Sequence, residues 1–96
     1  MSDQKMTEVW VFSGAKNQFP GGVFTRREIA ESWILKNHLT GTLTLYPLDL
    51  GAYEWAIGKG LFRPRKPHES TPKFIGGFSD AGMEHYHYEE GERQNG

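Results

Sequence analysis

Two histidines near the C-terminal end are the residues whose spacing points most directly to chemistry. His85 and His87 lie two positions apart in the alternating segment 84–89. On a β-strand, side chains two apart project from one face about 7 Å from each other, so two imidazoles can bind one metal ion. Glu89 continues this face, and His68 in the preceding loop is a further candidate ligand. The pattern predicts a metal site at His85 and His87. The alternative is that these polar side chains form the solvent-exposed face of a sheet, since a functional zinc site needs at least three converging ligands.

A second candidate site is a basic loop that is stiffened by two prolines. Its basic side chains are Arg63, Arg65, Lys66 and His68, spaced by Pro64 and Pro67. Cations that are held apart and outward in this way suit an acidic protein partner or phosphate groups. Nucleic acid is the less favoured ligand, because the net charge of the chain is −1 and the C-terminal end is acidic. The simple alternative is a solvated connector.

The sequence gives little basis for catalysis. The chain has no cysteine nucleophile, its serines lack a nucleophile-elbow context, and its glycines match no phosphate-binding or dinucleotide-binding motif. No pair of carboxylates is placed to act as an acid and a base that face each other. We therefore predict no catalytic residue and no cofactor.

Large apolar side chains exceed the evident needs of one small core. Leu35 falls on the outer face of the first predicted helix, and Trp55 lies at the margin of the apolar stripe of the second. Aromatic side chains commonly anchor protein interfaces. These residues, together with the basic loop, predict binding to a protein partner or to a second copy of the chain.

The composition indicates one small domain. Its 96 residues suffice for one core, and 14% of them are aromatic, so large rings supply much of the buried area. The absence of cysteine suits a reducing compartment, and no segment approaches the roughly 18 apolar residues that span a bilayer. We expect a cytoplasmic domain over residues 8–90, with flexible termini at 1–7 and 91–96.

Apolar runs and alternation predict the strands. The apolar run at residues 9–12 indicates a central strand over residues 8–12, and residues 23–24 are placed to return beside it. Segments 42–46 and 84–89 alternate, which indicates half-buried strands. In the last of these, the tyrosines fall on one face and the histidines on the other.

Capping residues predict the helices. Thr25 and Glu28 have capping-box spacing at the start of the first helix. Asp49 is placed to cap a second helix, and Thr71 followed by Pro72 begins a short third one. The order of elements predicts an α+β fold, with a small, mainly antiparallel three- to four-stranded sheet, two main helices and a short third helix.

The chain resembles a family of small bacterial domains of unknown function. The matching segments are VWVFSG (9–14), GVFTRREIAESWI (22–34), LTGTLTLYPLDLGAYEWAIGKGLF (39–62) and EHYHYE (84–89). The resemblance implies a bacterial source and assigns no activity, cofactor or catalytic residue. By analogy with other small domains that lack a catalytic set, we expect a noncatalytic protein-binding module, of which toxin-neutralising immunity proteins are one class. One alternative is a metal-binding protein or a metal-dependent enzyme that uses His85 and His87, and the other is nucleic-acid binding through the basic loop 63–68.

Overall fold

A five-stranded antiparallel sheet organises residues 6–95, the part of the chain that the computed structural model describes. The strands are β1 (Glu8–Gly14), β2 (Pro20–Phe24), β3 (Gly41–Pro47), β4 (His85–Glu89) and β5 (Glu92–Arg93). Their order in the sheet is β2-β1-β3-β4-β5, so β1 lies inside the sheet, as its apolar run predicted. The α+β class is confirmed, whereas the predicted count of three to four strands was too low.

The additional strand, β5, follows a two-residue turn that the sequence analysis did not identify. Glu90 and Gly91 both have positive φ angles, 52° and 87°, and they connect paired residues Glu89 and Glu92. Two successive positive φ angles match the twist of a tight hairpin. The sequence analysis assigned 91–96 to a flexible terminus, yet two of these residues pair with β4. Flexibility of the remainder stays a prediction, and residues 1–5 and 96 lie outside the described residues.

Helix α1 (Arg27–Lys36) packs against one face of the sheet. Ala30 and Ile34 on the helix are fully buried against rings and aliphatic side chains of the strands. The main core cluster comprises Trp10, Phe12, Ala30, Ile34, Leu43 and Tyr88. The predicted Thr25 capping box was wrong. The helix begins at Arg27, so Glu28 occupies the second helical position instead of the third, and the N-cap is Arg26, which makes no capping hydrogen bond through its side chain.

A second group of aromatic rings comes from the segment of the chain that connects β3 to β4. Helix α2 (Ala52–Gly58), a 3₁₀ helix (Pro67–Ser70) and α3 (Pro72–Gly76) carry or flank these rings. We call them the aromatic cluster: Tyr53, Phe62, Phe74 and Phe78, with ring centroids 5.0–6.3 Å apart. Across residues 6–95, no helix combines the length and apolar character needed to cross a membrane.

Two predicted caps had different outcomes in this region. Asp49 does not cap α2, because the N-cap is Gly51 and Asp49 adopts a φ of 59° in the preceding turn. The Thr71 cap is confirmed: its side-chain oxygen accepts a 3.3 Å hydrogen bond from the Phe74 backbone N–H, and Pro72 occupies the first helical position.

Candidate functional site

A cavity of about 650 Å³ lies against the aromatic cluster. Three rings of the cluster line it, those of Phe62, Phe74 and Phe78. The polar and small residues around them are His68, Thr71, Lys73, Gly77, Ser79 and Asp80. All three phenylalanines are only half-buried, so the apolar lining remains accessible from solvent.

Local sequence features build the walls of this cavity. The Thr71 cap and Pro72 start α3 in a fixed direction, and Phe78, which follows the end of this helix, lies with its ring centroid 6.0 Å from that of Phe74. The hydroxyl group of Tyr53 donates a 2.8 Å hydrogen bond to the backbone carbonyl of Glu69, which fastens the 3₁₀ helix to α2. The cavity therefore has a supported frame, which favours a preformed site.

The Glu69 side chain holds the basic loop in place. Its Oε1 atom accepts hydrogen bonds from the backbone N–H groups of Arg65, at 2.9 Å, and Lys66, at 3.0 Å. These two hydrogen bonds lower the pKa of Glu69 below its ordinary value, so the carboxylate stays ionised well into the acid range. The loop is therefore fixed through its backbone, while its cationic side chains remain exposed.

The basic loop lies beside the same phenylalanine that lines the cavity. Arg63 and Arg65 line a neighbouring cleft of about 500 Å³, and Phe62 is shared by the cavity and the cleft. His68 lies on the cavity side, with its ring perpendicular to that of Phe74 at a centroid distance of 5.7 Å. The structure thus brings three of the four predicted basic residues together around the aromatic cluster. The fourth, Lys66, is exposed and lines neither space.

Positive charge is concentrated in the segment that contains the basic loop. Segment 59–73 contains five of the eleven lysine and arginine residues and one of the twelve acidic residues of the chain. That acidic residue is Glu69, whose carboxylate is already engaged by the loop backbone. Apolar walls with a cationic surround suit a ligand that combines an apolar group with carboxylate or phosphate groups.

The other predicted partner-binding residues lie on other elements. Leu35 is on α1 with 55% of its surface exposed, in agreement with its predicted outward position. Trp55 is half-buried on α2 and lines none of the cavities described above. Neither residue joins the basic loop in one continuous site.

The two histidines of β4 meet on the sheet face opposite α1. Their ring centroids are 5.1 Å apart and the rings are perpendicular. His85 Nδ1 lies 2.7 Å from the backbone carbonyl of Met83, and His87 Nδ1 lies 3.3 Å from the Thr42 hydroxyl. His68, predicted as a further ligand, instead contacts Phe74 at the cavity. Among residues 6–95, no three histidine, cysteine or acidic side chains gather as a potential metal site.

A polar network that the sequence analysis missed joins α1 to β4. The Tyr86 hydroxyl accepts a 2.8 Å hydrogen bond from Arg27 and donates one of 2.6 Å to Glu84. The Tyr88 hydroxyl donates a 2.6 Å hydrogen bond to Glu31. The bond to Glu84 and burial raise the pKa of Tyr86, while burial and then Glu31 raise that of Tyr88. Both phenols therefore remain neutral donors at physiological pH.

Two arginines complete this network. The guanidinium groups of Arg27 and Arg93 each lie 5.0 Å from the centroid of the Tyr86 ring, and each lies within 4.0 Å of the Glu31 carboxylate. The only sequence signal was the spacing of four residues between Arg27 and Glu31 on one helix. Because opposite charges face each other inside the network, we assign it a structural role in joining α1, β4 and β5.

The fold and the cavity define a class: a small α+β domain with an aromatic, cation-flanked cavity beside its sheet. The chain belongs to the family described as "Domain of unknown function (DUF7710)", whose model matches residues 9–94. Membership of a family of small domains of unknown function is thus confirmed, while the bacterial source stays a prediction. No curated protein and no solved structure matches the chain.

Proposed function

We propose that this domain is a noncatalytic protein-binding module whose aromatic cavity receives an apolar anchor side chain of an acidic partner segment. The observation that carries the proposal is the half-buried set of phenylalanines, which lines a cavity of about 650 Å³ between basic side chains. Binding hot spots are typically large side chains seated in pockets of this kind.

The size of the cavity favours a side chain as its occupant. Small-molecule and anchor pockets commonly measure about 300–1,000 Å³. The walls offer ring faces and edges, which pair favourably with another aromatic ring or a large aliphatic group. We therefore expect tryptophan, phenylalanine, tyrosine or leucine at the anchor position.

The surrounding charge favours carboxylates on both sides of that anchor. Lys73 lines the cavity, and Arg63 and Arg65 line the adjoining cleft. Complementary charge raises association rates and rejects like-charged partners. Asp80 also lines the cavity, and its carboxylate can accept a hydrogen bond from a donor group of the partner.

The biological role that we propose for this binder is to neutralise a toxin or effector in the bacterial cytoplasm. A cysteine-free fold suits that compartment because it needs no disulfide. A second copy of the chain and a nucleic acid are the competing occupants, and the experiment below separates them.

Selection from a random peptide library tests the proposal with two glycine variants. Gly77 lines the cavity, and a Cβ added there meets only the Lys73 carbonyl at 3.4 Å, so Gly77→Leu should obstruct part of the cavity without disrupting the backbone. Gly76 is the matched control, because a Cβ there meets nothing within 4 Å and the residue does not line the cavity.

The expected result is enrichment of peptides that carry an aromatic or leucine residue beside aspartate or glutamate. These peptides should bind the wild type and Gly76→Leu equally, and Gly77→Leu at least tenfold more weakly. Failure to enrich such peptides, or equal binding by Gly77→Leu, would overturn the proposal. So would self-association that Gly77→Leu abolishes, or preferential binding of a single-stranded oligonucleotide over the acidic peptides.

A further inference from the structure

We propose that His85 and His87 form a two-ligand site for a divalent transition-metal ion, independent of the aromatic cavity. The two residues lie on β4, on the face opposite the tyrosines that pack toward α1. Neither residue takes part in the peptide-binding surface proposed above.

The separation of the two rings fits a shared ion. With metal–nitrogen distances of about 2.1 Å, two imidazoles that bind one ion at angles between a right angle and a tetrahedral angle have ring centres roughly 4.5–5.2 Å apart. The observed centroid distance is 5.1 Å. The rings therefore already have a spacing that suits one shared ion.

Hydrogen bonding fixes which nitrogen of His85 is available. A backbone carbonyl can only accept, so the 2.7 Å contact between His85 Nδ1 and the Met83 carbonyl places the ring proton on Nδ1. The Nε2 atom then carries the free lone pair. Metal-binding histidines characteristically donate their other ring N–H to a carbonyl or carboxylate in this way.

The environment of His87 allows the same tautomer. Its Nδ1 lies 3.3 Å from the Thr42 hydroxyl, which can either donate or accept. If Nδ1 donates to Thr42, Nε2 of His87 is also free to bind the ion. Metal binding would select this arrangement.

The sheet fixes the backbone that carries both rings. Thr44 and Thr42 on β3 are the register partners of His85 and His87, and on its other side β4 pairs with β5. Sites on regular elements hold their geometry better than sites on loops. A cleft of about 360 Å³ adjoins the pair, and Tyr86, Arg93, Gln94 and Asn95 also line it.

Within residues 6–95, no third histidine, cysteine or acidic side chain joins the pair, so the protein would supply two ligands to the ion. Two imidazoles leave positions on the ion for water or for a group from another molecule, so we infer an exchangeable site instead of a structural one. Imidazole ligands suit Cu²⁺, Ni²⁺ and Zn²⁺, and the usual order of stability places Cu²⁺ first.

Calorimetric titration of the untagged protein with Cu²⁺ and with Zn²⁺ tests the inference, in a buffer that does not bind metals. We expect one ion per chain, tighter binding of Cu²⁺, and at least a tenfold loss of affinity in His85→Ala and in His87→Ala. His68→Ala is the matched control, since its ring lies at the cavity, and it should bind both ions like the wild type.

Electron paramagnetic resonance of the Cu²⁺-loaded protein gives a second measurement, with nitrogen coupling from two imidazoles in the wild type and from one in each single variant. If His85→Ala fails to fold, His85→Asn replaces it, because its amide can still donate to the Met83 carbonyl. Unchanged affinity in the variant that lacks both histidines would overturn the inference, as would loss of binding in His68→Ala. Gly77→Leu should bind the ions normally, so this site and the peptide site can fail separately.

Discussion

The Tyr88 hydroxyl donates a 2.6 Å hydrogen bond to the Glu31 carboxylate and so joins β4 to α1 across 57 positions of the chain. Tyr88 is only 4% exposed, and its ring belongs to the main core cluster. The same carboxylate lies 3.8 Å from the guanidinium group of Arg93 on β5. Glu31 therefore connects the helix with the two last strands of the sheet.

Removal of this hydroxyl should destabilise the domain. Tyr88→Phe leaves the half-buried Glu31 carboxylate without its shortest hydrogen bond, and hydrogen bonds to charged groups contribute about 1.5–3 kcal/mol. We expect a loss of about 1–2 kcal/mol in the free energy of unfolding, measured by urea denaturation. Tyr46→Phe, on the opposite face of β3, is the control and should change it by less than about 0.5 kcal/mol. Equal effects of the two variants would contradict the prediction.

Gly91 should tolerate no side chain, for two separate reasons. Its φ is 87°, and an added Cβ would lie 3.1 Å from the Leu35 Cα and 3.2 Å from the His38 Cα. Gly60 provides a control that isolates the first reason, because its φ is 75° and nothing lies within 4 Å of an added Cβ. We expect Gly60→Ala to cost about 1–2 kcal/mol and Gly91→Ala about 3 kcal/mol or more in urea denaturation. A Gly91→Ala loss no larger than that of Gly60→Ala would show that the close contact relaxes.

Acid should weaken the attachment of the basic loop. The pKa of Glu69 is lowered in the folded state by the backbone N–H groups of Arg65 and Lys66, so its stabilising effect is present above the ordinary glutamate pKa, near 4.5. That effect is lost as the pH falls through the lowered pKa of the folded state. Glu69→Gln should therefore lower Tm at neutral pH, and the difference from the wild type should shrink as the pH falls below the ordinary glutamate pKa.

Thermal melts across this pH range check the sign. Glu8→Gln removes a carboxylate at the exposed start of β1 and should give a small difference in Tm throughout. A Glu69→Gln difference that grows toward low pH would mean that the carboxylate does not stabilise the loop as the structure indicates.

Local periodicity predicted the sheet better than the candidate site. Alternation alone placed Tyr86 and Tyr88 toward the core and the histidines on the other face, because successive side chains of a strand point to opposite sides. The Glu90–Gly91 turn was a readable signal for β5 that the sequence analysis passed over.

The cavity was not predictable in this way. Its frame combines rings from α2, an irregular segment and α3, and the 3₁₀ helix that turns His68 toward Phe74 has no periodic pattern. The network around Tyr86 depends on contacts across 59 positions, which no local spacing encodes. Sequence reasoning found the basic loop as a charged segment, but the apolar surface beside it emerged only from the packing.

The location of each positive charge around the cavity, and not only the total charge of segment 59–73, should determine peptide affinity. Lys73→Glu and Lys59→Glu make the same charge change within segment 59–73, but only Lys73 lines the cavity. For the selected acidic peptides, we expect at least a tenfold loss of affinity in Lys73→Glu and about a twofold loss in Lys59→Glu, since Lys59 lines neither the cavity nor the adjoining cleft and solvent and salt screen exposed charges that are not in contact with the ligand. Stopped-flow fluorescence should place part of the Lys73→Glu effect in the association rate, and added salt should reduce the difference between the variants. Equal losses in the two variants would mean that the overall charge of the segment, and not the site itself, attracts the peptide.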